Sequence, residues 1–475
     1  MSIKVAIVGG GPAGIAALDA MVHEQAFADV TLFDCKPEVS GTWVYNSETP
    51  PPYTVPSTRA GSDAPSSPSL PTRFPATTPA SAAPDHINST YASLETNVEA
   101  DVMEFTYSRI PTVRSALTLA KYGADSPFRH HSVIRSWLQS LTKGYEHLIQ
   151  LNTTVELAEW RQHTSGDHWV LTLRRRAPDG DHWRQERFDK LLVASGKYIK
   201  PYVPQVPGLG SFPGLLQHSQ QFRSSETYRG KKVVVVGGSI SAMDLVYDVL
   251  FVASKTLSSR TRDGHQVEIV GSAAFDHPKV DKRGRIERIE GSTVYFDDGS
   301  LEEGVDCILY GTGYLLSVPF LPNEDYSHGR LHRVYQHVIS IDNPSLAYVG
   351  FVAGGLTFKV FEWQAVFAAR VFAGRAALPS KTAMEQWEHQ RLQKIGNNDR
   401  FNYINDDFEG YFEGLRSLAG TEGPGRQLPP YNDEWRVKLM RGHQRKRDFF
   451  ERHYHTPPAL PAQPSTELSS RAARL

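Results

Sequence analysis

"IKVAIVGGGPAGIAALDAM", residues 3 to 21, decides the fold. Its first six residues form a short apolar run of the kind that makes a parallel strand buried on both faces. Gly9-x-Gly11-x-x-Gly14 follows. The first glycine permits a tight turn, the second lets backbone approach a pyrophosphate, and the third lets helix pack on strand. Pro12 and Ala13 lead into a helix expected over 13–24, whose free N–H groups face a phosphate. A second strand, "VTLFD" at 30–34, ends on Asp34, placed to hold both ribose hydroxyls of an adenosine. Together these predict a dinucleotide site. The charge of Asp34 repels a ribose 2′-phosphate, so the site suits FAD or NAD rather than NADP. "SGTWVYN" places Gly41 and Trp43 just past the second strand, where a flavin ring would lie, although Trp43 serves equally as a core aromatic.

"KKVVVVGGSISAMDLVYDVL", residues 231 to 250, repeats the pattern with Gly237, Gly238, Ser239, Ile240, Ser241 and Ala242. Ser239 and Ala242 stand where glycines are expected. Both are small, and the Ser239 hydroxyl can donate to a phosphate. The next strand is expected at "VEIVGS", 267–272, ending at Ser272 without an acid. With no carboxylate to repel a 2′-phosphate, this second site favours NADP. Lys279, Lys282 and Arg283 come next, either to pair with that phosphate or to form a solvated charged face. Two such sites imply hydride transfer from nicotinamide to flavin. The two cysteines, Cys35 and Cys307, are far apart, which excludes a disulfide reductase and a disulfide framework. Reaction of the reduced flavin with oxygen stays open.

The chain has 475 residues, long enough for two domains, one inserted in the other. A net charge of −1 and 22% charged residues point to neither nucleic acid nor an anionic membrane. No run of about 18 apolar residues predicts a membrane span, and Gly9 to Pro12 breaks the signal-peptide reading of the N-terminus. Residues 49–89 are dense in Pro, Ser, Thr and Ala and read as an irregular surface excursion, either a loop without chemistry or a lid. Helix is expected at "SVIRSWLQSL", and strands at "HWVLTLRRR" and "RQERFDKLLVAS". Prolines 201, 204 and 207 mark the crossing into the second domain. The expected divisions are 1–203, 204–317, 318–454 and a flexible tail, 455–475. His130-His131 and His453-x-His455 lack carboxylates at ligand spacing, so no metal is expected. Asn88-Ser89-Thr90 and Asn152-Thr153-Thr154 match glycosylation acceptors by chance in a chain that reads as cytoplasmic. Ala473-Arg474-Leu475 is a loose variant of a peroxisomal address.

"FPGLLQHSQQF", residues 212 to 222, carries Phe212, Gly214, His218 and Phe222. It resembles the identifying motif of class B flavin-dependent monooxygenases. "YASLETNVEADVM" at 91–103, "VASGKYIKPYVP" at 193–204 and "ILYGTGYLLSVPF" at 308–320 agree, and "DNPSLAYVGF" and "QAVFAARVFAGRAALPSK" resemble the fungal and yeast flavin-containing monooxygenases. The resemblance covers roughly residues 1–420. Gly311 replaces a usual alanine, Ala100 a usual proline, and Arg223 follows the motif where Baeyer–Villiger members carry Trp.

The resemblance implies an α/β chain with two Rossmann-like domains, the NADP domain inserted in the FAD domain. It adds Lys36, Thr96, Asn97 and Gln364 to the FAD contacts. Asn97 lies beside flavin and nicotinamide in the family and can donate its amide to developing negative charge; an Asx turn is the plainer role. His218 joins the domains, and Tyr310 to Tyr314 form a hinge. The family's reaction runs through a C4a-hydroperoxyflavin that gives one oxygen to an amine nitrogen or a thioether sulfur while NADP+ stays bound. The implied partners are O2 and a small nucleophilic substrate, with a homodimer open to it. A step in fungal specialised metabolism fits family habit. The alternatives are a Baeyer–Villiger enzyme acting on a ketone, and a flavoprotein that binds NADPH without oxygenating anything.

Overall fold

A computed structural model describes residues 3–48, 69–81, 88–164, 166–260 and 271–453. Strand β1 (Ile3–Val8) buries its last four residues, crosses over through helix α1 (Pro12–Glu24), and pairs in parallel with β2 (Phe27–Phe33). Pro12 sits in the first turn of α1, where its fixed φ costs nothing. Gly9 has φ +110, and a Cβ there would lie 2.5 Å from the Ala194 carbonyl oxygen. A Cβ on Gly14 would lie 1.7 Å from the Gly9 oxygen, so close packing of helix on loop demands a glycine.

β1 and β2 lie side by side in a seven-stranded sheet. Lys190–Val193 and Leu346–Tyr348 extend it on one side and Ile149–Gln150 on the other, all in parallel. Two short antiparallel strands, Ile339–Ser340 and Val334–Tyr335, close one edge.

The second glycine loop builds its own sheet from β3 (Lys232–Val236), α2 (Ile240–Val249) and β4 (Lys255–Ser259). Here the expected strand order is corrected. The strand that follows α2 and pairs with β3 is β4, not 267–272; residues 267–270 lie outside the described residues, and Gly271 and Ser272 belong to no strand. Leu215–His218, Cys307–Tyr310, β3, β4 and Val280–Arg283 lie side by side, all parallel. All five strands fall between residues 215 and 310, while strands of the first sheet lie on both sides of that stretch. The second domain is therefore inserted in the first.

Thr153–Arg161, His168–Ala177 and Gly180–Phe188 form an antiparallel meander. The excursion joins it, which corrects the reading of 49–89 as wholly irregular. Ala76–Thr78 adds an edge strand, and the Trp183 indole donates to Thr78 Oγ1 at 2.9 Å. Residues 49–68 and 82–87 lie outside the described residues.

Two further helices bear on the sites. α3 (Thr357–Phe372) packs along α1, and its buried Arg370 pairs with the buried Glu24 at 2.6 Å. α4 (Glu434–Arg452) spans both cores: Leu439 belongs to the first, Phe449 and Phe450 to the second. His455 and the terminal Ala473-Arg474-Leu475 lie outside the described residues. Among those residues no helix is long and apolar enough to cross a membrane.

Candidate functional site

Asp34 follows β2 directly and is buried. Its Oδ2 accepts the Gly10 N–H at 2.5 Å and its Oδ1 the Lys36 N–H at 2.8 Å, which fixes the carboxylate against the glycine loop. Burial raises its pKa, and the neighbouring Lys36 charge opposes the rise. A Cβ on Gly11 would meet the Gly41 Cα at an ordinary contact distance of 3.5 Å, whereas one on Gly10 would lie 2.7 Å from Asp34 Oδ2. Ser195 sits against the Gly9 turn, and its buried hydroxyl has no hydrogen-bond partner among the described residues. A glycine loop at a helix N-terminus, an unspent donor and an acid at the strand end fit a dinucleotide that lacks a 2′-phosphate, as FAD does. Ser195 escaped the sequence reading, although it stands in the quoted segment "VASGKYIKPYVP".

Other expected contacts turn out to shape this site from behind. Lys36 Nζ donates to the Gly41 oxygen (2.8 Å) and to Asn88 Oδ1 (2.5 Å), tying the loop after β2 to the end of the excursion. Trp43 meets Phe358 edge to face at 6.3 Å, on the border of the first core. Ala13 packs against Gly350, where a Cβ would come within 3.0 Å of its own. Thr96 is buried and exchanges hydrogen bonds with the Arg129 backbone, which presents Asn97 to solvent. No described residue bonds the Asn97 side chain, so the Asx turn does not form.

Gln364 corrects the expectation of a flavin contact. It is fully buried on α3; its Oε1 accepts the Gly350 N–H at 2.9 Å and its Nε2 donates to the Tyr411 hydroxyl at 2.8 Å. That hydroxyl donates in turn to the Gln336 oxygen, in a turn where Gln336 and His337 both have positive φ. Both ends of the Gln364 amide are thus engaged within the protein, one by the Gly350 backbone and one by the Tyr411 hydroxyl.

The second site follows the same register with different chemistry. β1 Val8 lies opposite β2 Phe33, and β3 Val236 opposite β4 Ser259. The next residue along each second strand is therefore equivalent: Asp34 in the first site, Arg260 in the second. A cation stands where the acid stood, as a ribose 2′-phosphate requires. The Arg260 guanidinium lies 4.6 Å over the Phe275 ring, with Asp276 Oδ1 at 4.0 Å. A Cβ on Gly238 would meet nothing closer than the Arg260 Cβ at 4.0 Å, so this glycine is uncrowded. Ser239 holds the N-cap position of α2 without capping it, Ile240 opens the helix, and Ser241 is exposed. Ser272 is a correction: it does not follow the strand that pairs with β3, and its hydroxyl donates to Asp276. Lys282 bonds the same Asp276 at 2.6 Å.

Gly311 and Ala242, two departures from the family pattern, are halves of one contact. A Cβ on Gly311 would lie 2.7 Å from the Ala242 Cα and 2.8 Å from its Cβ. The methyl gained at 242 is accommodated by the one missing at 311.

The 212–222 motif lies at the junction of the two domains. His218 is fully buried; its Nδ1 accepts the Gln220 N–H at 3.2 Å and its ring meets Tyr314 edge-on at 5.0 Å. Burial drives its pKa down to about 4, so it is neutral near pH 7. Phe222 packs on Tyr91 at 5.3 Å, and Phe212 covers Gly214, where a Cβ would meet the ring at 2.5 Å. Arg223 donates to the Glu48 and Asn88 oxygens at 3.2 and 3.0 Å. It thereby gathers both ends of the excursion onto the motif. Of the expected histidine pair, His130 caps a helix and bonds the Ala92 oxygen, and His131 is buried beside it.

Comparisons with known proteins give the family and the fold. A family described as flavin-binding monooxygenase-like matches residues 121–278 and 274–424, and one described as FAD-NAD(P)-binding matches 6–62. Flavin-containing monooxygenase iboF of Amanita muscaria is 26% identical over 88% of this chain and 87% of its own length. Trimethylamine monooxygenase of Pelagibacter ubique is 28% identical over 81% and 78%. The solved structure of S-allyl-L-cysteine S-oxygenase from Allium sativum shares the fold with a TM-score of 0.73, covering 96% of this chain and 95% of that one at 22% identity.

Proposed function

Because the chain belongs to the flavin-binding monooxygenase-like family and uses FAD and NADP(H), we propose that it oxygenates an amine nitrogen or a thioether sulfur. The overall change is substrate, O2, NADPH and a proton giving substrate oxide, NADP+ and water. When bound, FAD supplies the redox chemistry, accepting hydride from NADPH and passing two electrons to oxygen.

The chain's part is to bind, orient and exclude water. The Gly9–Gly14 loop and the start of α1 would hold the FAD pyrophosphate, with Ser195 donating and Asp34 on the ribose. Arg260 would hold the 2′-phosphate of NADP(H). Asn97, presented by Thr96, would donate its amide where negative charge develops on oxygen. The domain divisions that go with this reading are 1–203 and 318–454 for FAD and 204–317 for NADP.

The observation that carries the substrate class is the state of the junction. His218 is buried, neutral and bound to backbone, and Asn97 cannot accept a proton at neutral pH. A nucleophile that attacks with a lone pair it already carries needs no general base. Two similar proteins are named for such substrates, trimethylamine and S-allyl-L-cysteine.

The test supplies holoenzyme, NADPH and 18O2 with trimethylamine, a dialkyl thioether or cyclohexanone. The expected product is an N-oxide or S-oxide carrying one labelled oxygen. A lactone from the ketone alone, or peroxide without any oxygenated product, would contradict the proposal.

A further inference from the structure

Helix α4 carries none of the residues assigned to cofactors, yet it touches the segment after Asn97, the turn into α3 and the helix of the second site. At Gly442 it lies so close to the segment after Asn97 that a Cβ would meet Glu99 Cγ at 3.2 Å and the Glu99 backbone nitrogen at 3.3 Å. Arg441 grips the Glu99 carboxylate with Nε on Oε1 at 2.8 Å and Nη2 on Oε2; that carboxylate is 1% exposed. Glu99 is the N-cap residue of the short helix Ala100–Met103, and its carbonyl accepts the Val102 and Met103 N–H groups. Orienting Glu99 therefore orients the turn that presents Asn97, two residues earlier. Lys438 adds a pair with Asp101 at 2.8 Å. Leu439 fills the place of a side chain on Gly355, which has φ +93 and turns the chain into α3; a Cβ there would lie 2.8 Å from Leu439 Cδ2.

The other end of α4 is locked into the second domain. Lys446 Nζ bonds Asp244 of α2 at 2.8 Å. Phe449 and Phe450 pack on Tyr247 of α2 at 5.3 and 5.2 Å, and Phe449 also meets Tyr122 at 5.0 Å. Arg441 and Phe449 are two turns apart on one helix, separated by about 12 Å of axial rise. A packed helix moves as a unit rather than stretching, so displacement of α2 is delivered to Glu99.

We propose that α4 is a strut that couples occupancy of the second nucleotide site to the position of the Asn97 turn, with Arg441 a positioning residue acting through Glu99. The inference rests on the reading of Asn97 above.

The test measures hydrogen exchange of a peptide covering 95–103, and the visible difference spectrum of bound flavin, in holoenzyme with and without NADP+. In the wild type NADP+ slows exchange in this peptide and perturbs the flavin spectrum. Arg441→Ala and Phe449→Ala, at opposite ends, are expected to bind NADP+ within about 3-fold of wild type yet lose most of both responses. Arg441→Lys restores part of them. Lys446→Met replaces Phe449→Ala if the latter does not fold. Asn97→Ala keeps the NADP+-induced protection whether or not it loses oxygenated product, which separates failure of the strut from failure of the Asn97 reading. Full NADP+-dependent protection in Arg441→Ala holoenzyme, or NADP+ binding abolished by that substitution, overturns the proposal.

Discussion

The two glycine loops share a backbone plan and differ in what occupies it. At the first loop the backbone is so close that Gly14 has no room for a methyl, and the strand beside it leads directly into Asp34. At the second, Ala242 fits because Gly311 across from it has no side chain, and the adjacent strand leads directly into Arg260. One fold thus makes two sites of opposite charge preference. In the proposed function the turn holds a dinucleotide, and the single residue after the next strand distinguishes which one.

The sharpest break of this comparison is at the loops themselves. Gly14→Ala should cost on the order of 4 kcal/mol or more, because the added carbon overlaps backbone rather than a movable side chain. The protein should lose bound flavin, read as visible absorbance per chain, and melt earlier. Ala242→Gly, its counterpart, should change stability by no more than about 1 kcal/mol.

Arg260→Ala should weaken NADP+ binding about 10- to 100-fold, the loss of a charge-assisted hydrogen bond partly exposed to solvent, while leaving NAD+ binding unaltered. Titration at two ionic strengths checks it, since the NADP+ preference should also shrink in high salt.

The paired departures make a double-mutant cycle. Gly311→Ala alone should destabilise by about 1–3 kcal/mol through overpacking. Adding Ala242→Gly should recover part of that, a coupling of about 0.5–3 kcal/mol by denaturant unfolding. Strict additivity would dissociate the two positions.

The smallest effect concerns the helices behind the loops. On α1, Asp19 is held by Arg426 at 2.8 and 2.9 Å. On α2, burial pushes the Asp248 carboxyl up to about 6 from its ordinary 3.8; Asp244 adds to the rise, and Lys121 and Lys446 oppose it. The native state then binds this proton more tightly than the unfolded chain does, so its contribution to stability is full below pH 3.8 and lost as pH rises through about 6. Asp248→Asn should flatten the melting temperature across that window.

The first unit was legible almost residue by residue, because a run of buried apolar residues, three glycines and an acid leave little choice. The second was misread at its strand. β4, "KTLSS", looks too polar for a strand between two others, yet Thr256, Ser258 and Ser259 are all buried there. "VEIVGS" carries a better alternation and drew the prediction away, which put Ser272 in the site and left Arg260 out. Counting from the loop was the usable signal: Asp34 lies 25 residues after Gly9 (34 − 9), and Arg260 lies 23 after Gly237 (260 − 237), against 35 for Ser272 (272 − 237). The excursion was misread by composition, since an edge strand needs only a few residues with free backbone groups, and "ATT" supplies them. Gln364 was misplaced because nothing in a sequence shows that Gly350 and Tyr411 already occupy both ends of its amide.

The central claim is that an acid-ended site for FAD and a cation-ended site for NADP(H) act on each other. Anaerobic mixing of oxidised holoenzyme with NADPH or NADH, followed by flavin absorbance, tests it most directly. NADPH should bleach the flavin far faster than NADH at equal concentration, and Arg260→Ala should erase the difference. Bleaching by neither nucleotide, or equal rates from both in the unaltered protein, would contradict it.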